Sequence, residues 1–288
     1  EEQISNAIAM AASSDASFAV IRAKPLSQWK GLASAQSALG AMNTLFLARR
    51  GVRGPLDVLE GPNGVDHLLR MQVRIDWDKQ GYEGVLESSI KMYNAEVHTQ
   101  SAIHCMIELA RKHPFDPNNV VSIEADVTRI AYDFTGGGLY GLDAAIETKE
   151  QADHSLPYVL SVAALDGNVT PAQFAPDRIT RSDAQTLLKK ISVRPNHEYT
   201  KEYPREMPAK VVVRLQDGTT YEHEVRDYPG LASHPFTWDD AVEKFDRLVA
   251  DRIDDALSRE IKAAVRALES IQVKDLMELL GRVGEGAL

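Results

Sequence analysis

A single cysteine, Cys105, in 288 residues leaves no partner for an intramolecular disulfide. It also excludes a four-cysteine zinc site and an iron–sulfur cluster held by three cysteines of this chain. The reducing cytoplasm, or an organelle matrix, fits such a chain best. No stretch approaches the roughly 18 consecutive apolar residues of a membrane span, so no membrane-embedded role is expected. Positive charge is short as well: 32 Lys and Arg stand against 42 Asp and Glu, a formal charge of −10. That balance argues against a general binder of nucleic acid or of anionic membranes, and any anionic ligand must find a local basic pocket. The amino end, Glu1-Glu2-Gln3-Ile4 running into Ala7 to Ala12, has no basic n-region and no initiating Met. It reads as a helix entered midway rather than as a secretory signal.

What is present suffices for a sizeable core: 44% of positions are apolar and 26% charged, which bounds the chain to one large or two modest domains. No internal repeat, coiled-coil heptad or low-complexity tract interrupts it. Apolar residues recur at helical spacing from Gln3 to about Met10, and the longest helical pattern runs from Trp29 to Arg50. The first half of that helix is crowded with small residues from Gly31 to Ala41, which suit either close packing in a bundle or a helix beneath a site. Gly51 supplies its cap and Gly54-Pro55 its stop, with Pro55 to Glu60 expected to open a short new helix. A helix covering Ala102 to Ala110 is stopped by Pro114, and Val121 to Val127 alternates as a strand with one wet face. A second helix spans Pro157 to Leu165, and Ile191 to Arg194 reads as a strand. Lys210–Gln216 and Thr219–Val225 flank Asp217-Gly218, which predicts a hairpin closed by a two-residue turn. From Trp238 to Leu280 the pattern is helical again.

The order predicts an α+β fold in which a helical body is interrupted by an α+β lid-type domain. Its parts are 1–86 as the first part of the body, 87–232 as the lid and 233–288 as the helical return. The cleft between body and lid is the default ligand site.

Among motifs, Gly136-Gly137-Gly138-Leu139-Tyr140-Gly141 matches G-x-G-x-x-G after a strand, but the repeated strand–helix alternation of a nucleotide-binding fold is missing and a loop is the better reading. His98 and His104 are six apart and cannot share a helix face at i, i+4, so no metal site is expected from them. Three spots remain. Lys30, opening the small-residue helix, is either a solvated first-turn charge or an anion ligand. Lys91 to Gln100 gathers Lys, Tyr, Glu and His at a loop-to-helix junction, by chance or as a site. His154-Ser155-Leu156-Pro157-Tyr158 is either part of that site or a serine cap before a helix with proline in its first turn.

Taken in order, Trp29-Lys30-Gly31, the run Ala48 to Pro55, Ile90 to Glu96, and Gln151 to Tyr158 with Leu165-Asp166-Gly167 resemble the MmgE/PrpD family, over about residues 1 to 280. That family includes 2-methylcitrate dehydratase, cis-aconitate decarboxylase and an iminodisuccinate epimerase. The form Lys91-Met92-Tyr93-Asn94-Ala95-Glu96 looks most like the MmgE branch, which implies 2-methylcitrate dehydratase. The resemblance also implies a helical domain interrupted by an α+β lid, a homodimer, and an active site between domains. It places Lys30 and Lys91 among lysines of the site, and it gives Glu96 a position filled by His in the decarboxylase, which argues against decarboxylation. A family tyrosine corresponds to Tyr132 or Tyr140. Nothing in this chain matches the long helical portion that family members carry upstream. The expectation is therefore that the amino-terminal part is absent, through truncation or because a separate partner chain supplies it.

Dehydrating a citrate-like acid needs a base for the proton α to a carboxylate, an acid for the departing hydroxyl, and cations for the carboxylates. Lys91, Glu96, His98 and Tyr132 are the candidate catalytic residues, and Lys30, Lys91, Tyr140 and His154 the candidate substrate ligands. The single cysteine disfavours aconitase-type chemistry on an iron–sulfur cluster, so no cofactor is expected, and the expected partner is a small tri- or dicarboxylate. Another lyase or isomerase of the family, or a non-catalytic subunit, are the alternatives.

Overall fold

Small side chains at Ala33, Ser37, Gly40, Thr44 and Ala48 recur at steps of three and four, so they form one stripe along a helix. In the computed structural model, which describes residues 1–15, 18–22, 26–70, 72, 76, 78–79, 81, 83–143 and 145–283, that stripe is the less exposed side of α2 (Trp29–Arg49). Helix α1 (Glu2–Ser14) packs against α2, with Asn6, Ala7 and Ala9 buried. A Cβ added at Gly40 would meet the Asp15 carboxylate at 2.3–2.5 Å, so glycine is what permits this approach. The Asn6 amide oxygen accepts from the Gly54 backbone N–H at 2.8 Å, tying the chain beyond α2 back to α1. Gly51 takes a φ of +87° after α2, as its place behind the helix predicts. The helix expected from Pro55 is not formed: residues 56–60 make turns, and a short α3 follows at Val65–Leu69. Gly61, Asn63 and Gly64 crowd this stretch, and the left-handed φ of 66° at Asn63 is incompatible with a continuing helix. These elements lie in one compact unit, Glu1–Val85.

The second unit, Leu86–Leu288, holds the sheet and the remaining helices. In chain order the helices are α4 (Gln100–Lys112), α5 (Arg129–Thr135), α6 (Lys149–Ala152), α7 (Leu156–Asp166), α8 (Pro176–Thr180), α9 (Ser182–Leu187), α10 (His197–Glu202), α11 (Trp238–Val249), α12 (Asp255–Arg266) and α13 (Val273–Gly281). The strands are β1 (Val120–Val127), β2 (Ile191–Pro195), β3 (Ala209–Leu215) and β4 (Thr220–Val225), in spatial order β2-β1-β3-β4. Strands β1 and β2 are parallel, with Ile123 opposite Ile191, and the connection between them carries α5 to α9. The other two pairings are antiparallel. The fold class is α+β.

Alternation fixes the faces of the sheet. Ile123, Ala125 and Val127 of β1 and Ala209, Val211 and Val213 of β3 are buried, while Glu124 and Asp126 point the other way and pair with Arg194 of β2. Helix α4 packs on β3 and β4 through Ile103, Met106 and Leu109, and α7, apolar around most of its circumference, packs on α4. Burial of side chains of this size contributes about 1.5–3 kcal/mol each, which makes this layer the main source of the unit's stability.

The β3–β4 hairpin differs in detail from its prediction. Arg214 pairs with Thr220, and Leu215 N–H donates to Thr219 O at 2.9 Å, so three residues, Gln216 to Gly218, form the loop. Gly218 N–H closes a turn onto Leu215 O at 3.0 Å, and Gly218, at φ +86°, is the loop residue with a positive φ. A type I turn followed by a left-handed glycine gives this three-residue loop, whereas a two-residue turn would put Asp217 at positive φ as well.

Candidate active site

The segment Lys91 to Thr99 has little regular structure of its own, so its shape depends on the side chain that follows it. Gln100, fully buried at the start of α4, accepts the Tyr93 backbone N–H at 2.8 Å and donates to Tyr93 O at 3.1 Å. Asn94 N–H reaches Val169 O at 3.0 Å, and Glu96 N–H reaches Asp153 O at 2.9 Å. A polar loop is thereby held from three directions, which fixes where Lys91, Glu96 and His98 project.

Glu96 and His98 form a doubly bonded pair. The carboxylate accepts the His98 backbone N–H at 2.7 Å and its Nδ1–H at 2.8 Å. Burial works to raise the Glu96 pKa, but the bonds from His98 and the charge of nearby His154 outweigh it and hold the carboxyl below its ordinary range. With Nδ1 engaged by Glu96, the other end of the His98 ring, Nε2, meets the Tyr203 hydroxyl at 3.3 Å. Phe134 stacks on the imidazole at 5.9 Å, and Tyr140 meets Phe134 edge-on at 5.5 Å.

Asp153 brings a second histidine and a lysine. Its carboxylate is bonded to His154 Nδ1 and, at 2.6 Å, to Lys149 Nζ. Burial again opposes ionisation, and the two partners again win, so the Asp153 pKa is lowered. Ser155 caps α7, accepting Tyr158 N–H at 3.3 Å, with Pro157 in the first turn. Ser155 is therefore a cap, and His154 beside it is joined to Asp153.

A cavity of about 200 Å³ opens beside this loop, lined by Lys91, Tyr93, Lys149, Asp153, Lys244 and Arg247 among others. Lys244 and Arg247, three apart on α11, reach back to the loop: Lys244 Nζ donates to Lys91 O, and Arg247 Nη2 to Met92 O at 3.5 Å. Burial and the positive charges of Arg247 and Lys91 lower the Lys244 pKa. Behind the cavity, Tyr93 Oη lies 2.9 Å from His104 Nδ1, and burial raises the phenol pKa and lowers that of His104.

Of the residues singled out from sequence, Glu96, His98 and His154 fall in one neighbourhood, Lys91 lines the cavity next to it, and Tyr140 reaches His98 through Phe134. Tyr132 is half-buried on α5 against the sheet core, and its carbonyl accepts from Gly136 and Gly138. Lys30 stands at the second position of α2, in the first unit. Tyr203, Lys149, Lys244 and Arg247 were not anticipated. Among the described residues no group of three or more His, Cys, Asp or Glu is placed to hold a metal ion, and no helix is long and apolar enough to cross a membrane.

The MmgE/PrpD N-terminal domain model matches residues 1–77 and the MmgE/PrpD C-terminal domain model residues 93–270. The chain belongs to the MmgE/PrpD family. The first match overturns the expectation that the family's amino-terminal portion is absent, and with it the ground for a separate chain that supplies it. Trp29-Lys30-Gly31 and Ala48 to Pro55, two of the runs that carry the resemblance, lie inside this first match. Cis-aconitate decarboxylase of Mus musculus is 26% identical over 106 residues, which cover 34% of this chain and 20% of that protein. The aligned segment thus spans a fifth of the relative's length.

Proposed function

We propose that this protein is a lyase that removes water from a citrate-like tricarboxylate, 2-methylcitrate, to give 2-methyl-cis-aconitate. The observation that carries the reading is the Glu96–His98 pair. An ionised, partly buried carboxylate on Nδ1 fixes the tautomer and stabilises the imidazolium that forms when Nε2 takes a proton. His98 is then the base that removes the proton α to a carboxylate, and Glu96 orients it. As the C–H electrons form the alkene, the C–O bond to the hydroxyl breaks, and the departing oxygen takes a proton from Lys91 to leave as water. The positive charges of Lys91 and its neighbours oppose the negative charge that builds on the substrate carboxylate in the transition state. No cofactor is required for this balance of bonds and protons. Family membership supports the general class of reaction.

The likeness to a protein named cis-aconitate decarboxylase supports a second reading, loss of carbon dioxide from an unsaturated tricarboxylate. Proton NMR of the products separates the two. Dehydration leaves three carboxylates and creates an alkene, whereas decarboxylation leaves two and releases carbon dioxide.

A further inference from the structure

Lys244 lies 153 residues from Lys91 in sequence, yet the Lys91 loop and α11 place three cations on one cavity. Lys149 also lines it, but its charge is spent on Asp153. Among the described residues no carboxylate pairs with Lys91, Lys244 or Arg247, although the chain carries a surplus of acidic groups. Arg247 Nε is buried and has no hydrogen-bond partner among the described residues. A buried charged donor without a partner is destabilising, and an arriving acceptor removes that cost.

We infer that Lys244 and Arg247 of α11 form a carboxylate subsite beside Lys91, which holds a non-reacting carboxylate of a tricarboxylic acid while Lys91 faces the reacting part of the substrate. Guanidinium binds carboxylate in a fixed fork, while the Lys244 ammonium acts as a compact charge that follows it. The bonds from Lys244 and Arg247 to the carbonyls of Lys91 and Met92 hold helix and loop in register. Burial and then the like charges of Arg247 and Lys91 depress Lys244, and an anion among these cations offsets that repulsion. The identity of the acid rests on the lyase reading above; the subsite does not.

The test is calorimetric titration of the full chain with propane-1,2,3-tricarboxylate, which cannot lose water, at low and high salt. It is repeated on Lys244→Gln, Arg247→Gln and Arg247→Lys, each checked for fold by circular dichroism. The subsite predicts binding that weakens with salt, a loss of about tenfold or more in each Gln variant, and a smaller loss in Arg247→Lys. With 2-methylcitrate, KM rises more than kcat falls. Equal affinity in folded wild type and both Gln variants, or no binding at all, overturns it. Binding that depends on both residues without turnover of 2-methylcitrate leaves the subsite standing and removes the lyase reading. Turnover with unchanged KM in both variants does the reverse.

Discussion

Glu96 accepts two hydrogen bonds from His98, one from the backbone and one from the ring, and this leaves Nε2 as the end of the imidazole that can exchange a proton. The pair sits where a loop enters α4 through a short helical turn at Val97–Thr99, so backbone geometry sets the distance between the two side chains. A carboxylate two residues away is held by local structure, without a distant partner having to be packed against it.

Glu96→Gln keeps the shape and removes the charge. We expect kcat to fall by about 100-fold or more, within the range that positioned acid–base groups supply. The same substitution reports on stability. The Glu96 carboxyl lies below its ordinary value of 4.5, so its contribution is complete above that pH and is lost as pH falls through the depressed folded value. Thermal melts between about pH 3 and pH 6 should show a steeper acid loss in wild type than in Glu96→Gln. Parallel curves would contradict the assignment.

Tyr203→Phe removes the hydroxyl that faces His98 Nε2. A net hydrogen-bond loss of about 1 kcal/mol is expected in denaturant unfolding. kcat should fall severalfold with KM little changed, since the group facing Nε2 has changed. An unchanged kcat would show that Tyr203 does not act on His98 during turnover.

Arg178 lies beneath α7 with its side chain nearly buried, bonded to Asp166 at 2.9 Å through both Nε and Nη2 and to Asp183 at 3.2 Å. Arg178→Met leaves Asp166 with only the longer 3.7 Å contact to Arg181, while Arg181 still holds Asp183, and should cost about 1.5–3 kcal/mol in urea unfolding through the lost charge-assisted bonds. A change below about 1 kcal/mol would place the network among ordinary surface pairs.

Gly218 takes a left-handed φ with open space around its Cα. Gly218→Ala therefore costs backbone strain alone, about 1–2 kcal/mol, with no steric clash. Chemical denaturation measures it, and a neutral result would mean the loop relaxes to another turn.

How far the sequence could be read followed from how local each feature is. The β3–β4 hairpin is a local pattern and its strands were evident, although the loop gained a residue because Leu215 and Thr219 pair across it. Lys91, Glu96 and His98 lie within eight residues, so they could be noticed as a cluster. Their division of labour could not, because it depends on Tyr203, 105 residues from His98. Lys244 and Arg247 lie 153 and 155 residues from the backbone groups they reach, inside a helix whose pattern shows nothing unusual. Pro55 misled because proline in a first turn marks a helix start only when the following residues can continue it, and Gly61 to Gly64 cannot.

The most direct test of the account follows 2-methylcitrate by proton NMR in the presence of the purified full chain, with ultraviolet absorbance read in parallel. The account predicts an alkene that retains all three carboxylates, with absorbance rising as the substrate signals fall. Unchanged substrate, or a product that has lost a carboxylate, would contradict it.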